Sequence, residues 1–153
     1  MNPLPITIRM ATPADAATLA SLCSAHAAFE GIPYAAEGHV ERLASALGVA
    51  TPRLSAWVAL RGDEPLGYAT ATLDFSTLKA LPFLHMDCLF VVETARREGL
   101  GARLLDQVRA QGRTLGCRHL EWQTPDWNAD AIRFYERSGA KAKRKARFTL
   151  PLS

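Results

Sequence analysis

The sequence predicts an α/β protein built on a mixed sheet. Apolar, alternating runs at Leu54 to Leu60, Leu66 to Phe75 and Leu84 to Val92 read as strands crowded into the middle of the chain. Runs with helical spacing lie before and after them. A strand, a glycine turn and a helix follow one another through MDCLFVVETARREGLGARLL, from Met86 to Leu105. Strands interleaved with helices point to α/β architecture with a mixed sheet.

The elements follow in order. Ile6 to Met10 alternates and reads as a first strand. Thr12-Pro13-Ala14-Asp15 supplies an N-cap, a proline at the first helical position and an acid in the first turn. The alanine-rich helix it opens runs to about Phe29, where Gly31-Ile32-Pro33 stops it. A second helix is expected from Glu37 to Leu47. The next two strands form a hairpin through Arg61-Gly62-Asp63-Glu64-Pro65. After the glycine turn, Leu100, Leu104, Leu105 and Val108 recur at helical spacing, and Gly116 ends that helix. Cys117 to Thr124 is expected as a strand and Asp126 to Arg137 as a helix stopped by Gly139. Lys141 to Leu150 is expected as a last strand. No repeat, linker or low-complexity segment interrupts the chain, so residues 1–153 are read as one domain.

Composition narrows the function. The 153 residues are 48% hydrophobic and 22% charged, ordinary values for a globular protein. A net charge of +3 suits a small anionic ligand and is too weak to argue for nucleic acid. No apolar run reaches a membrane span, and MNPLPITIRM lacks the order of a signal peptide. Cys23, Cys88 and Cys117 are odd in number, far apart and without a C-x-x-C pair. They read as reduced thiols of a cytoplasmic protein, and no metal site is read.

The turn Arg96-Arg97-Glu98-Gly99-Leu100-Gly101 carries the chemistry. Two glycines let the backbone approach a ligand, and the free N–H groups of the following helix favour a phosphate. A P-loop needs a lysine after its second glycine, and none follows Gly101. A dinucleotide turn needs a third glycine or an alanine, and Leu104 stands there. The pattern Gln/Arg-x-x-Gly-x-Gly/Ala remains, filled by Arg96, Gly99 and Gly101. An ordinary strand–turn–helix is the alternative to any ligand loop. Downstream, Trp127-Asn128 precedes Ala131, Phe134-Tyr135 and Gly139-Ala140, with Asn128, Ala131 and Tyr135 along one side of a helix.

On these two motifs the chain resembles the GNAT superfamily of N-acetyltransferases over about Leu84 to Ala140. Met86-Asp87 before Leu89-Phe90-Val91, with the Trp-Asn and Phe-Tyr helix, is similar to its diamine (spermidine/spermine) acetyltransferase branch. The resemblance implies a GNAT-type fold with a mixed, mostly antiparallel central sheet flanked by helices, acetyl-CoA as acetyl donor and a small primary amine, polyamine or amino-acid-like amine as acceptor. It implies pantetheine contacts from Leu89, Phe90 and Val91, and a pyrophosphate framed by Arg96, Arg97, Glu98, Gly99, Leu100, Gly101 and Ala102. Asn128 and Phe134 would add contacts from the later helix; helix capping is the other reading of Asn128.

The reaction sets three demands. The attacking amine must lose a proton, the oxyanion needs a donor, and the departing thiolate needs a proton. The resemblance gives the last role to Tyr135, whose alternative is a packed helix aromatic. Asp87 stands where the diamine branch commonly has glutamate, one methylene longer, so a water relay is favoured over direct abstraction. Its alternative is a buried, backbone-bonded acid. His85 has a suitable side chain for a base and reads equally as a satisfied core histidine. Strict alternation puts His85, Asp87 and Leu89 on one face and Met86, Cys88 and Phe90 on the other, which disfavours an acyl-cysteine route. Direct transfer in a ternary complex is therefore expected.

Acceptor contacts are expected from Phe29, Glu30 and Tyr34. The basic Lys141, Lys143, Lys145 and Arg147 read as a solvated edge strand rather than a nucleic-acid patch. The family often dimerises, which implies a homodimer. A non-catalytic coenzyme A-binding module and a protein N-acetyltransferase are the rival functions.

Overall fold

The computed structural model describes residues 2–51 and 53–153. The chain divides into two compact units, residues 1–123 and 124–153.

The first unit holds β1 (Ile6–Met10), α1 (Ala16–Glu30), α2 (His39–Leu47), β2 (Leu54–Arg61), β3 (Glu64–Ser76), β4 (Leu81–Val91), α3 (Leu100–Thr114) and β5 (Leu120–Trp122). The strands lie in the order β1-β2-β3-β4-β5. The first four are antiparallel neighbours and β5 joins β4 in parallel, so the sheet is mixed. The expected elements of this unit are present, with changed ends. A 3-10 turn at Pro13–Asp15 precedes α1. There the Asp15 carboxylate accepts the Thr12 N–H at 2.8 Å and two N–H groups of Arg9 at 2.8 and 2.9 Å. Those bonds hold the Asp15 carboxyl down at about 2.

The helices bury opposite faces of the sheet. In α1, Leu19 and Leu22 pack on Ala56, Val58, Tyr68 and Phe90, with Cys23 and Cys88 beside them. In α3, Leu100, Leu104, Leu105 and Val108 are buried. Leu104 reaches the side of β3 that Gly67 presents, opposite the Tyr68 face. Each such leucine contributes about 1.5–3 kcal/mol by burial.

The pairing of β3 with β4 contains a bulge that strict alternation misses. Thr70 pairs with Cys88 and Ala71 with Met86, so Asp87 is the extra residue. Phe90 and Cys88 therefore share the α1 face with Tyr68 and Thr70, while Met86 turns to the α3 face with Ala71. The expected grouping of Met86 with Cys88 and Phe90 is thus corrected: an extra residue resets the side-chain period of 2.

The second unit contains α4 (Ala129–Arg137). The Asn128 side chain caps it, accepting the Ala131 N–H at 3.2 Å. The strand expected at Lys141 to Leu150 does not form; residues 141–153 are exposed and carry no regular structure. Among the described residues no backbone hydrogen bond is made beyond Ala140, and a strand without a ladder partner has nothing to hold it. Phe148 and Leu150 are 91% and 81% exposed.

Candidate active site

The site grows from the end of β4. β5 pairs with β4 only across Leu84–Met86, so from Asp87 onward one edge of β4 is open. The Phe90 carbonyl points at β3, where it faces Gly67, and Val92 N–H donates to the Leu66 carbonyl at 2.9 Å. By alternation, Leu89 and Val91 present their N–H and C=O groups to the open edge. Arg96 already uses one of these: its Nε donates to the Val91 carbonyl at 3.0 Å.

The open edge leads into the glycine turn. Gly99 is left-handed at φ +77°, and a Cβ there would meet nothing within 4 Å. Arg97 is also left-handed, at φ +71°. Helix α3 begins at Leu100, one residue earlier than the second glycine, and no side chain caps its N-terminus. The first-turn N–H groups at Leu100, Gly101 and Ala102 therefore lack intrahelical partners. Those donors, the helix dipole and an open glycine fit a pyrophosphate.

The side chains of this turn are disposed unequally. The Arg96 guanidinium lies 4.6 Å from the centre of the Phe29 ring and 5.7 Å from that of Phe90. Glu98 pairs with Arg61 at 2.9 Å. A cavity of about 460 Å³ opens between Ala25, Ala28 and Phe29 of α1 and Phe90, Val92, Glu93 and Arg96.

Asp87 sits on the bulge and is exposed, so the buried-acid alternative does not hold. Cys88 is its neighbour in space as well as in sequence: the thiol donates to Asp87 Oδ2 at 3.6 Å. Burial first, then the Asp87 charge, pushes the Cys88 thiol up to about 12. A protonated thiol is a poor nucleophile. His85, paired across with Thr72, is half-buried.

Two of the expected acceptor residues, Glu30 and Tyr34, make hydrogen bonds within the fold. The Tyr34 hydroxyl donates to the Ala20 carbonyl at 3.2 Å and also contacts His39 Nδ1. Glu30 Oε2 lies 2.7 Å from His26 Nε2, and His26 Nδ1 lies 2.7 Å from the Tyr68 hydroxyl. Neither His26 nor Tyr68 stands out in the sequence. They are 42 residues apart, and only the α1 stripe of Leu19, Leu22, Cys23 and His26 hints that His26 faces the sheet. In the second unit, Tyr135 lies on α4 beside Phe134, their ring centres 5.2 Å apart.

No group of three or more His, Cys, Asp or Glu side chains that would hold a metal occurs among the described residues. None of their helices is long and apolar enough to cross a membrane.

A mixed sheet with a bulged β4, an open strand edge and an uncapped helix behind a left-handed glycine is an arrangement suited to an extended, pyrophosphate-bearing ligand. The sequence matches the acetyltransferase (GNAT) family over residues 19–140, and the chain belongs to that family. It is 30% identical over 125 residues to a thialysine N-epsilon-acetyltransferase of Caenorhabditis elegans, covering 82% of this chain and 76% of that protein. It is 35% identical over 75 residues to an L-ornithine N5-acetyltransferase of Arabidopsis thaliana, covering 49% of this chain. The match spans only 33% of the plant protein's length. The fold superposes with a TM-score of 0.80 on an aminoglycoside N-acetyltransferase solved in complex with CoA. That pair is 19% identical, over 96% of this chain and 95% of the other.

Proposed function

We propose that this chain, acting as one catalytic domain over residues 1–153, transfers the acetyl group of acetyl-CoA directly to a small primary amine. The observation that carries the reading is the open edge of β4 running into the uncapped start of α3. Family membership and the amine acceptors named for both relatives support it.

Acetyl-CoA supplies the activated acyl thioester. Leu89 and Val91 offer backbone groups to an extended amide-bearing arm, and Gly99 to Ala102 offer N–H donors to its pyrophosphate. Asp87, exposed on the bulge, takes the ammonium proton through water, since its side chain is short. Tyr135 is assigned the proton for the departing thiolate from its place in the family motif, because a phenol still carries its proton at neutral pH. The protonated Cys88 thiol supports direct transfer over an acyl-cysteine route. Initial rates with both substrates varied should give intersecting lines, and Asp87→Ala and Tyr135→Phe should each lower kcat. Parallel lines would remove the direct mechanism. Both variants at full rate would remove the assigned roles.

The three free thiols favour a reducing compartment, the cytoplasm. We also infer a homodimer. The C-terminal segment alternates basic residues with Ala146, Phe148 and Leu150, and its apolar side chains are exposed in a single copy. A second copy would cover them. Sedimentation at micromolar concentration should give twice the chain mass. A monomer at all concentrations would exclude the dimer.

A further inference from the structure

We propose that Arg61 is a positioning residue for coenzyme binding: it holds the Glu98 carboxylate away from the N–H groups that open α3. This rests on the reading of Gly99 to Ala102 as the seat of the pyrophosphate.

The glycine turn carries a charge opposed to its ligand. Glu98 stands immediately before Gly99, the N-cap of α3. The first turn of α3 contains no acid, and no side chain caps it. Its free N–H groups and the helix dipole attract any anion within reach. The Glu98 carboxylate, one residue from the cap, is such an anion. Unrestrained, it would compete for the donors that a pyrophosphate needs and would repel the pyrophosphate by its charge.

Arg61 holds that carboxylate elsewhere. It ends β2, 37 residues before Glu98, and its Nη2 donates to Glu98 Oε1 at 2.9 Å. Arg61 is half-buried, and its Nε is buried with no hydrogen-bond partner among the described residues. The stem is therefore enclosed, and the charged end has a fixed place at which to receive Glu98. A second contact ties the same two elements. Ile6 of β1 pairs with Arg61, and Arg103, in the first turn of α3, donates to the Ile6 carbonyl at 3.5 Å. The end of β2 and the start of α3 are thus joined at two points, and the Arg61–Glu98 pair spans a set distance.

Paired, the two charges cancel beside the turn, and Arg96 and Arg97 leave it positive toward an anion. Arg61 lies outside both sequence motifs, in a segment that reads only as a hairpin turn.

The test is the Kd for CoA, by calorimetry, through a double-mutant cycle on Arg61 and Glu98. Pantetheine, which lacks the pyrophosphate, is the comparison ligand. Arg61→Gln keeps most of the stem and removes the charge; it should weaken CoA about fivefold, the size of a partly solvated charge contact. Arg61→Lys should keep most of the affinity. Glu98→Gln should tighten CoA, because the acid is gone and the Arg61 cation remains. Arg61→Gln should cost clearly less in the Glu98→Gln background, where no carboxylate is released. These changes should appear with CoA and not with pantetheine. Weaker CoA binding by Glu98→Gln would make the pair a structural clamp and overturn the proposal, even where Arg61→Gln fails to fold. Equal cost of Arg61→Gln in both backgrounds would make Arg61 a direct phosphate contact and overturn it too. A parent that binds CoA no more tightly than pantetheine would instead overturn the reading of the turn as a pyrophosphate seat.

Discussion

Gly67→Ala should loosen the contact on which the open strand edge depends. Gly67 stands in β3 opposite Val91 of β4. A Cβ at this position would lie 2.7 Å from the Phe90 carbonyl oxygen and 3.4 Å from both Val91 Cα and Leu104 Cδ1. The first contact is with backbone, which cannot rotate away as a side chain does. β4 must therefore move from β3 by a few tenths of an ångström, just where Leu89 and Val91 present their open edge. Overpacking of this kind costs about 1–3 kcal/mol. In a chain of this size that lowers Tm by roughly 2–12 °C. Gly99→Ala is the control, because its Cβ meets nothing within 4 Å and only the left-handed backbone resists it. That resistance is worth about 1–2 kcal/mol. Calorimetry reads both variants, and the KM for acetyl-CoA of Gly67→Ala should rise several-fold as the edge shifts. A Gly67→Ala protein that melts within about 1 °C of the parent would refute the packing of β3 against β4 described here.

Two further perturbations have defined outcomes. Arg9 and the Thr12 N–H hold the Asp15 carboxyl at about 2, below its unfolded value near 4, so its stabilising bonds are intact above pH 4 and lost as pH falls toward 2. The gap in urea midpoint between the parent and Asp15→Asn, worth under about 1 kcal/mol because the Arg9 partner is well exposed, should close over that range; a gap independent of pH would contradict it. Asn128→Ala removes the cap of α4 and should destabilise that helix by about 0.5–2 kcal/mol, seen as faster hydrogen exchange at its amides; unchanged exchange would show that the cap contributes nothing.

Much of the fold was legible because its signals are local. Thr12-Pro13 announces α1, alternation announces β2 and β3, and the leucine spacing of α3 announces which face it buries. The glycine turn was legible for the same reason: Gly99 is left-handed where a turn into a helix demands it. The bulge at Asp87 was not, since it depends on how β3 registers against β4, and it parts Met86 from the face that Cys88 and Phe90 share. The line from Glu30 through His26 to Tyr68 was hidden by sequence distance. The last strand failed for a third reason. Alternation in Lys141 to Leu150 is a local signal, and among the described residues no backbone hydrogen bond is made beyond Ala140 to fix it as a strand.

The residues expected on the acceptor side take part in contacts within the fold. Tyr34 joins the end of the α1–α2 connection to the Ala20 carbonyl and His39, and Glu30 is drawn into the sheet face by His26. Phe29 lies under the Arg96 guanidinium at the mouth of the 460 Å³ cavity.

The central claim is amine-dependent acetyl transfer, and free-thiol release from acetyl-CoA measures it most directly. The assay takes the purified chain, acetyl-CoA and a panel of ornithine, thialysine, lysine, spermidine and aminoglycoside amines. Thiol release above the no-amine rate with at least one of them, in step with formation of the acetylated amine, is the predicted result. Coenzyme A binding with no amine-dependent thiol release across the panel would contradict the claim and leave a binding module in its place.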